Sequence, residues 1–396
     1  MRVLHVISGI DVPTGGPGTA LVGLGSAQAQ VGLDVTVLTA FAQGADLAPA
    51  EQLKRDGVNV QLIGPVRTPL GLHSGIPAKI NELLDQADIV HIHGLWEEIQ
   101  HRAARLACAR GIPYLITPHG MLDPWSLSQR ALKKRLYMAW RLRTNLNRAA
   151  AIHYTAETER ELAEPLGLRP PALIELNGVD LREFEKLPEK GSFRKLFPQI
   201  GQRPLILFLS RIHLKKGLDM LIPAMAKVKT PDAILVIIGP DPWGYGQTIK
   251  DLIQQHGIGD RTIFVGQVPA DVRIAAFTDA DIFVLPSYQE NFGIAVAEAL
   301  AAGTPVVISD QVNIHREISA AGVGGVVRRD VDLVAAEMDR WLQDAELRRA
   351  AAEKARPFVW DRWGWTQIAR RWIGHYDRIV AEHRAAKSGH AGASAG

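Results

Sequence analysis

One cysteine, Cys108, stands in a chain of 396 residues. A lone thiol excludes an internal disulfide and a thiolate metal cluster, and it suits a reducing compartment, so a cytoplasmic setting is expected. Its neighbours, Leu106-Ala-Cys-Ala109, read as an apolar helix face, which gives the thiol a packing role. No apolar run reaches the roughly 18 to 20 residues that span a membrane. Met1-Arg-Val-Leu-His-Val-Ile-Ser8 reads as a strand and lacks the charged, apolar and small-residue succession of an export signal. A net charge of +3 is too small to point to nucleic acid, and no such partner is expected. The first glycine-rich loop, Pro13-Thr-Gly-Gly-Pro-Gly-Thr19, is neither a dinucleotide fingerprint nor a phosphate loop closing in Gly-Lys-Ser/Thr, which removes support for NAD and ATP.

What remains is a soluble globular composition, 47% hydrophobic and 22% charged, in a chain too long for one ordinary core. Short apolar runs alternate with helical patterns: Val3–Ser8, Val35–Thr39, Val58–Ile63, Ile89–His93, Tyr114–Thr117, Ala151–Tyr154 and Leu173–Leu176. After a charged, proline-bearing joint within Val179–Gln202 the alternation resumes, with Leu205–Ser210, Ile234–Gly239, Thr262–Gly266, Asp281–Pro286, Val306–Ser309 and Gly325–Val327. This is the pattern of two α/β domains, each a parallel sheet with helices on both faces. Ligands bind such sheets beyond the carboxyl ends of the strands, so the loops there carry the functional candidates.

Four loops stand out. Ser287-Tyr-Gln-Glu-Asn-Phe-Gly-Ile-Ala-Val-Ala-Glu298 sets Glu290 in a turn and Glu298 inside the helix that follows, with the Asn291, Phe292 and Gly293 amides at the helix start. Two acceptors and a cluster of N–H donors suit a ligand with many hydroxyls and a phosphate. Ser210-Arg-Ile-His-Leu-Lys-Lys-Gly217 places Arg211 and Lys216 before another helix, a fork and a point charge fitted to a diphosphate. Gly15 and Gly16 permit close backbone approach ahead of a helix expected from about Ala20 to Val31. His91 and His93 share a strand face and would suit a metal, but no third ligand is apparent; His119 lies in a Pro-His-Gly turn.

Glu290 to Glu298 resembles the E-x7-E signature of the retaining family 4 glycosyltransferases (glycosyltransferase group 1), whose fold is GT-B; the S-R-x-x-x-x-K-G loop, the Gly-Gly loop, Pro-His-Gly and Leu176-Asn-Gly-Val-Asp180 match as well. The resemblance implies two Rossmann-like domains facing each other across a cleft: 1–180 for the acceptor, 200–360 for a nucleotide-diphosphate sugar, a helix 361–386 crossing back to the first domain, and a disordered tail 387–396. It implies catalytic roles for His119 and Glu290. Donor contacts fall to Gly15, Gly16, Arg211 and Lys216 beside the diphosphate, Gln267 and Val268 at the base, Asn291, Phe292, Gly293 and Glu290 on the sugar, and Glu298 on the ribose. The expected reaction is metal-independent, retaining transfer of a hexosyl group, mannosyl or glucosyl, from a UDP-, GDP- or ADP-sugar to a saccharide or lipid-linked saccharide in polysaccharide or glycolipid biosynthesis. No cofactor is expected, and metal independence is expected on a reading of the chain as having no Asp-x-Asp motif. A sugar-nucleotide epimerase or hydrolase of the same fold, or a non-catalytic binding protein, are the rival readings.

Arg130 to Arg148 holds seven cations and no acidic residue. Lys134, Arg141 and Arg148 recur every seven positions and are expected to share a face beside Leu132, Leu136, Ala139, Trp140, Leu142 and Leu146. Such a helix fits peripheral contact with the anionic inner face of the cytoplasmic membrane. The aromatic series Trp360, Trp363, Trp365, Trp372 and Tyr376 reads as packing.

Overall fold

A computed structural model describes residues 1–11, 16–66 and 70–393, with side chains as far as Lys387. The chain forms two units, Met1–Gly178 joined by Trp365–Gly396, and Val179–Gly364.

In the first unit, β1 (Arg2–Ile7), β2 (Asp34–Ala42), β3 (Asn59–Val66), β4 (Ile89–His93), β5 (Tyr114–Thr117), β6 (Ala151–Tyr154) and β7 (Ala172–Ile174) make a parallel sheet in the order β3-β2-β1-β4-β5-β6-β7. These are the expected strands; β2 runs on to Ala42, and β7 stops at Ile174. One face packs Leu4, Val6, Val90, Ile92, Ile116 and Ile152 against the helices Ile76–Leu84 and Glu98–Arg110. The other packs Val3, Val35, Val37, Ile89 and Leu115 under the helices Gly16–Gln30 and Trp365–Ala393. Both faces are covered, which is why the strands read as near-continuous apolar runs.

The returning helix is seated by Trp365. A Cβ added at Gly23 would lie 2.1 Å from its indole nitrogen and one at Gly178 would lie 2.4 Å from its ring, so both positions need glycine for the indole to fit. Trp372 and Tyr376 are buried below it. The helix is described as far as Ala393. Ala385, Ala386 and Ala391 have high helix propensity, and His383 Nε2 bonds the Gly111 carbonyl at 3.0 Å to hold the last turns. Residues 394–396 lie outside the described part.

In the second unit, β8 (Leu205–Leu209), β9 (Ile234–Ile238), β10 (Thr262–Gly266), β11 (Ile282–Leu285), β12 (Val306–Ser309) and β13 (Gly324–Val327) are parallel in the order β10-β9-β8-β11-β12-β13. The chain builds outward from β8 to one edge, then restarts at β11 on the other side. Strand order therefore reverses between β8 and β11, which makes the loops after these two strands the walls of a ligand crevice.

Candidate functional site

Those two loops are bonded to each other. Tyr288 N–H donates to the Lys215 carbonyl at 2.8 Å. Gly217, with φ of +76°, lets the first loop pass against the second: a Cβ there would lie 2.1 Å from the Pro286 carbonyl oxygen. Glu290 is pinned from the other side, its N–H donating to Gln311 O at 3.0 Å and its carbonyl accepting from Asn313 N–H at 2.9 Å. Its carboxylate forms an ion pair with Lys216. Burial works against the Glu290 charge, yet Lys216, Lys215 and Arg211 outweigh it and hold the carboxyl below its ordinary value. Three cations thus converge on one carboxylate, an excess of positive charge at the strand-order reversal. The Arg211 guanidinium lies 5.5 Å from the Trp243 ring centroid.

From Glu290 the chain enters the helix Ile294–Ala301 through Gly293, whose φ of +76° a side chain would strain. No backbone acceptor among the described residues takes the N–H of Asn291, Phe292 or Gly293, so these donors stay available at the positive end of the helix. The Phe292 ring itself is core, 5.4 Å from Trp363. Glu298 is buried one turn on and accepts from Arg273 at 3.1 Å. Burial pushes its carboxyl up to about 7; Arg273 opposes this and the nearby Glu183, itself paired with Arg273, adds to it. Arg273 belongs to the helix Ala270–Asp279, directly after Gln267 and Val268, so the β10 loop is tied to Glu298 through that helix.

In the first unit, His119 follows β5 with φ of +53°, an uncommon conformation for a side-chain residue. The next N–H, of Gly120, donates to the buried Glu159 carboxylate, which also accepts from Thr155 N–H at 2.7 Å. Burial raises Glu159 to about 7. The His119 ring meets His93, Nε2 to Nδ1 at 3.1 Å, and is neutral, because burial lowers its pKa to about 3.

Two family models match this chain: Glycosyl transferase 4-like domain over residues 15–177 and Glycosyl transferases group 1 over residues 191–358. The chain belongs to the group 1 glycosyltransferases of the GT-B fold. An uncharacterized glycosyltransferase of Methanocaldococcus jannaschii is 28% identical over 374 residues, 89% of this chain and 92% of that protein. A GDP-mannose-dependent alpha-(1-6)-phosphatidylinositol monomannoside mannosyltransferase of Mycobacterium tuberculosis is 31% identical over 205 residues, 49% of this chain and about half, 52%, of that protein. Among solved structures, Anabaena HepE in complex with UDP and glucose superposes with a TM-score of 0.76 at 18% identity, over 96% of this chain and 100% of that one, a likeness of fold.

In this glycosyltransferase the structure brings together Arg211, Lys216 and Glu290, and separately Glu298 with Arg273. Gly16 opens the first long helix, where an added Cβ would meet nothing within 4 Å; Gly15 lies outside the described residues. The third histidine that the sequence did not display is His5: its ring and those of His91 and His93 place one nitrogen each within 4.8 Å of one another. The signal was present as a histidine inside an apolar strand, and β1 pairs with β4 so that His5 stands directly beside His91. Arg273 was missed because nothing in its helix marks it. The sequence does contain two Asp-x-Asp runs, and both are used structurally. Asp279 accepts from Gly191 N–H and from Arg194 N–H at 2.9 Å, and Asp281 accepts from Leu205 N–H at 2.8 Å. Asp330 caps a helix at 2.9 Å from Asp332 N–H, and Asp332 pairs with Lys227.

The basic stretch is helical, with a π turn over Met138–Leu142. Lys134 and Arg141 do lie on one side, but that side faces inward, with Lys134 over Trp96 and Arg141 paired to Glu98 at 2.7 Å, while Arg148 is exposed. Leu142 and Leu146 are core. Outward instead stand Leu132, Leu136 and Trp140, 72%, 64% and 76% exposed, with Arg130, Lys133, Arg135, Arg143 and Arg148 also exposed.

Proposed function

We propose that this glycosyltransferase moves a hexosyl group, mannosyl or glucosyl, from a nucleoside-diphosphate sugar to a saccharide or lipid-linked saccharide, with retention of anomeric configuration, in the making of a polysaccharide or glycolipid. The observation that carries the reading is the meeting of Arg211, Lys216 and Glu290 where strand order reverses between β8 and β11. A diphosphate brings more negative charge than one carboxylate, so it draws Lys216 towards itself and leaves Glu290 to accept from sugar hydroxyls. The Asn291–Gly293 amides add donors. Glu298, released from Arg273, takes the ribose, and Gln267 and Val268 meet the base. Fixed cations and amides then stabilise the charge on the departing diphosphate, the part a metal ion plays elsewhere. His119 is assigned to the transferred sugar.

GDP-mannose use by the mycobacterial relative and the UDP complex of HepE support a nucleotide-sugar donor. A lipid-bearing acceptor is supported by the outward Leu132, Leu136 and Trp140 among cations, a surface suited to anionic lipid at a cytoplasmic membrane face. No described helix is long and apolar enough to cross a membrane. The test is incubation with UDP-, GDP- and ADP-linked glucose and mannose, with and without saccharide acceptors, and assignment of the product anomer by NMR. Acceptor-dependent transfer with retention is expected; full-rate nucleotide release without acceptor would instead indicate a hydrolase or epimerase, and inversion would remove the retaining assignment.

A further inference from the structure

The first unit contains an unbroken hydrogen-bonded chain beneath the returning helix. It starts at the Glu175 carbonyl, 2.7 Å from His153 Nε2, and passes from His153 Nδ1 to the Thr117 hydroxyl at 2.8 Å. Thr117 meets His91 Nε2 at 2.7 Å, and His91 Nδ1 meets the Tyr376 hydroxyl at 2.8 Å. Gln28 Nε2 donates to Tyr376 at 3.1 Å, and Gln28 Oε1 lies 2.7 Å from His5 Nε2. His5 Nδ1 then meets His93 Nε2 at 2.9 Å, and His93 Nδ1 meets His119 Nε2. Every member is buried except His119, which is partly exposed.

Proton placement along this chain follows from its first link. A carbonyl only accepts, so His153 carries its proton on Nε2, and its neutral Nδ1 must accept from Thr117. Thr117 then accepts from His91 Nε2–H, His91 Nδ1 accepts from Tyr376, and Tyr376 accepts from Gln28. Gln28 in turn accepts from His5 Nε2–H, and the same logic gives His93 and His119 their protons on Nε2. The reverse order would set the His153 lone pair against the Glu175 carbonyl, or require a buried imidazolium. Burial lowers His153 to about 4, and the Glu175 carboxylate that would favour a charged ring is held by Arg371 at 2.8 Å. No metal is needed to explain the His5, His91 and His93 grouping, because all six ring nitrogens already have partners.

We propose that this chain fixes His119 as the Nε2–H tautomer, with His5, Gln28, His93, Thr117 and Tyr376 as positioning residues, and so presents its Nδ1 lone pair to a hydroxyl of the bound ligand. No described residue bonds Nδ1. His119 is thereby a hydrogen-bond acceptor at its open end and not a proton donor to a phosphate. The choice of a sugar hydroxyl rests on the glycosyltransferase reading; the tautomer does not.

The test is long-range proton–nitrogen correlation NMR on the full chain with labelled histidine, at neutral pH and without substrate, with His119→Gln used to identify the ring. Wild type is expected to show one His119 tautomer, protonated at Nε2. Thr117→Val and Tyr376→Phe each cut the chain from the Glu175 carbonyl and should give a mixture, with turnover falling as the Nε2–H population falls, while Thr117→Ser retains the single form. An Nδ1–H or mixed His119 in wild type, a single form surviving both cuts, or a stoichiometric zinc ion on His5, His91 and His93 of the purified protein would overturn the proposal. Should one cut variant not fold, the other decides. The correct tautomer with no transfer from any donor would sink the functional reading alone.

Discussion

Replacing Leu136 and Trp140 by serine should release the protein from anionic vesicles. These side chains are 64% and 76% exposed, so about seven-tenths of each is free to enter a headgroup region. Full burial of such a side chain is worth about 1.5–3 kcal/mol, and partial entry from this starting exposure about 1 kcal/mol each. Nearby exposed cations add about 1 kcal/mol apiece at an anionic leaflet. The double variant therefore loses about 2 kcal/mol, roughly 30-fold in partitioning. Lys133→Glu with Arg135→Glu should weaken binding as well and flatten its dependence on salt. Co-sedimentation with phosphatidylserine-containing and neutral vesicles at low and high salt measures both. Arg141→Ala is the contrasting case: it breaks the pair with the buried Glu98 and should lower melting temperature more than vesicle affinity. If wild type ignores anionic vesicles at low salt, or the Leu136 and Trp140 variant binds as well as wild type, the outward face is not a membrane surface.

Glu290→Gln should reduce turnover more than affinity for free nucleoside diphosphate, whereas Glu298→Gln should weaken that affinity too, since the ribose is present in both ligands; calorimetry with the diphosphate checks the split. Stability should separate Glu298 by pH. Its carboxyl stands at about 7 in the fold against an ordinary 4.5, so its contribution to stability is whole below about pH 4.5 and is lost as pH rises through 7. Urea unfolding of Glu298→Gln relative to wild type should improve by on the order of 3 kcal/mol from pH 4 to pH 8, and a flat difference would contradict the burial argument. Gly217→Ala drives a methyl into the Pro286 carbonyl and should cost both melting temperature and diphosphate affinity. Activity should survive EDTA; loss restored by magnesium would contradict charge stabilisation by fixed cations.

Much of the candidate site was legible because it is local. Glu290 and Glu298 sit on one loop and helix, and Arg211 and Lys216 on another, so strand ends and helix starts place them without knowledge of distant contacts. The sheets were legible for the same reason, since strands covered on both faces appear as apolar runs. Readings that depend on three-dimensional phase or register were lost. Seven-residue spacing put Lys134 and Arg141 on one side of Arg130–Arg148 but could not say that this side packs inward against Trp96 and Glu98. His5, Gln28 and Tyr376 lie far apart in sequence and meet because β1 pairs with β4 and because the last helix returns to the first sheet. Arg273 reaches Glu298 from a neighbouring helix, a contact that spacing cannot express.

The central claim is that the crevice between the β8 and β11 loops holds a nucleoside diphosphate. Calorimetric titration of UDP, GDP and ADP, each against its monophosphate, into wild type and Lys216→Ala tests it most directly. At least one diphosphate should bind one-to-one and more tightly than its monophosphate, and Lys216→Ala should weaken it by about tenfold or more, as loss of a charge-assisted contact of roughly 1.5–3 kcal/mol requires. Binding of none of the three, or equal affinity for mono- and diphosphate in both proteins, would contradict the account.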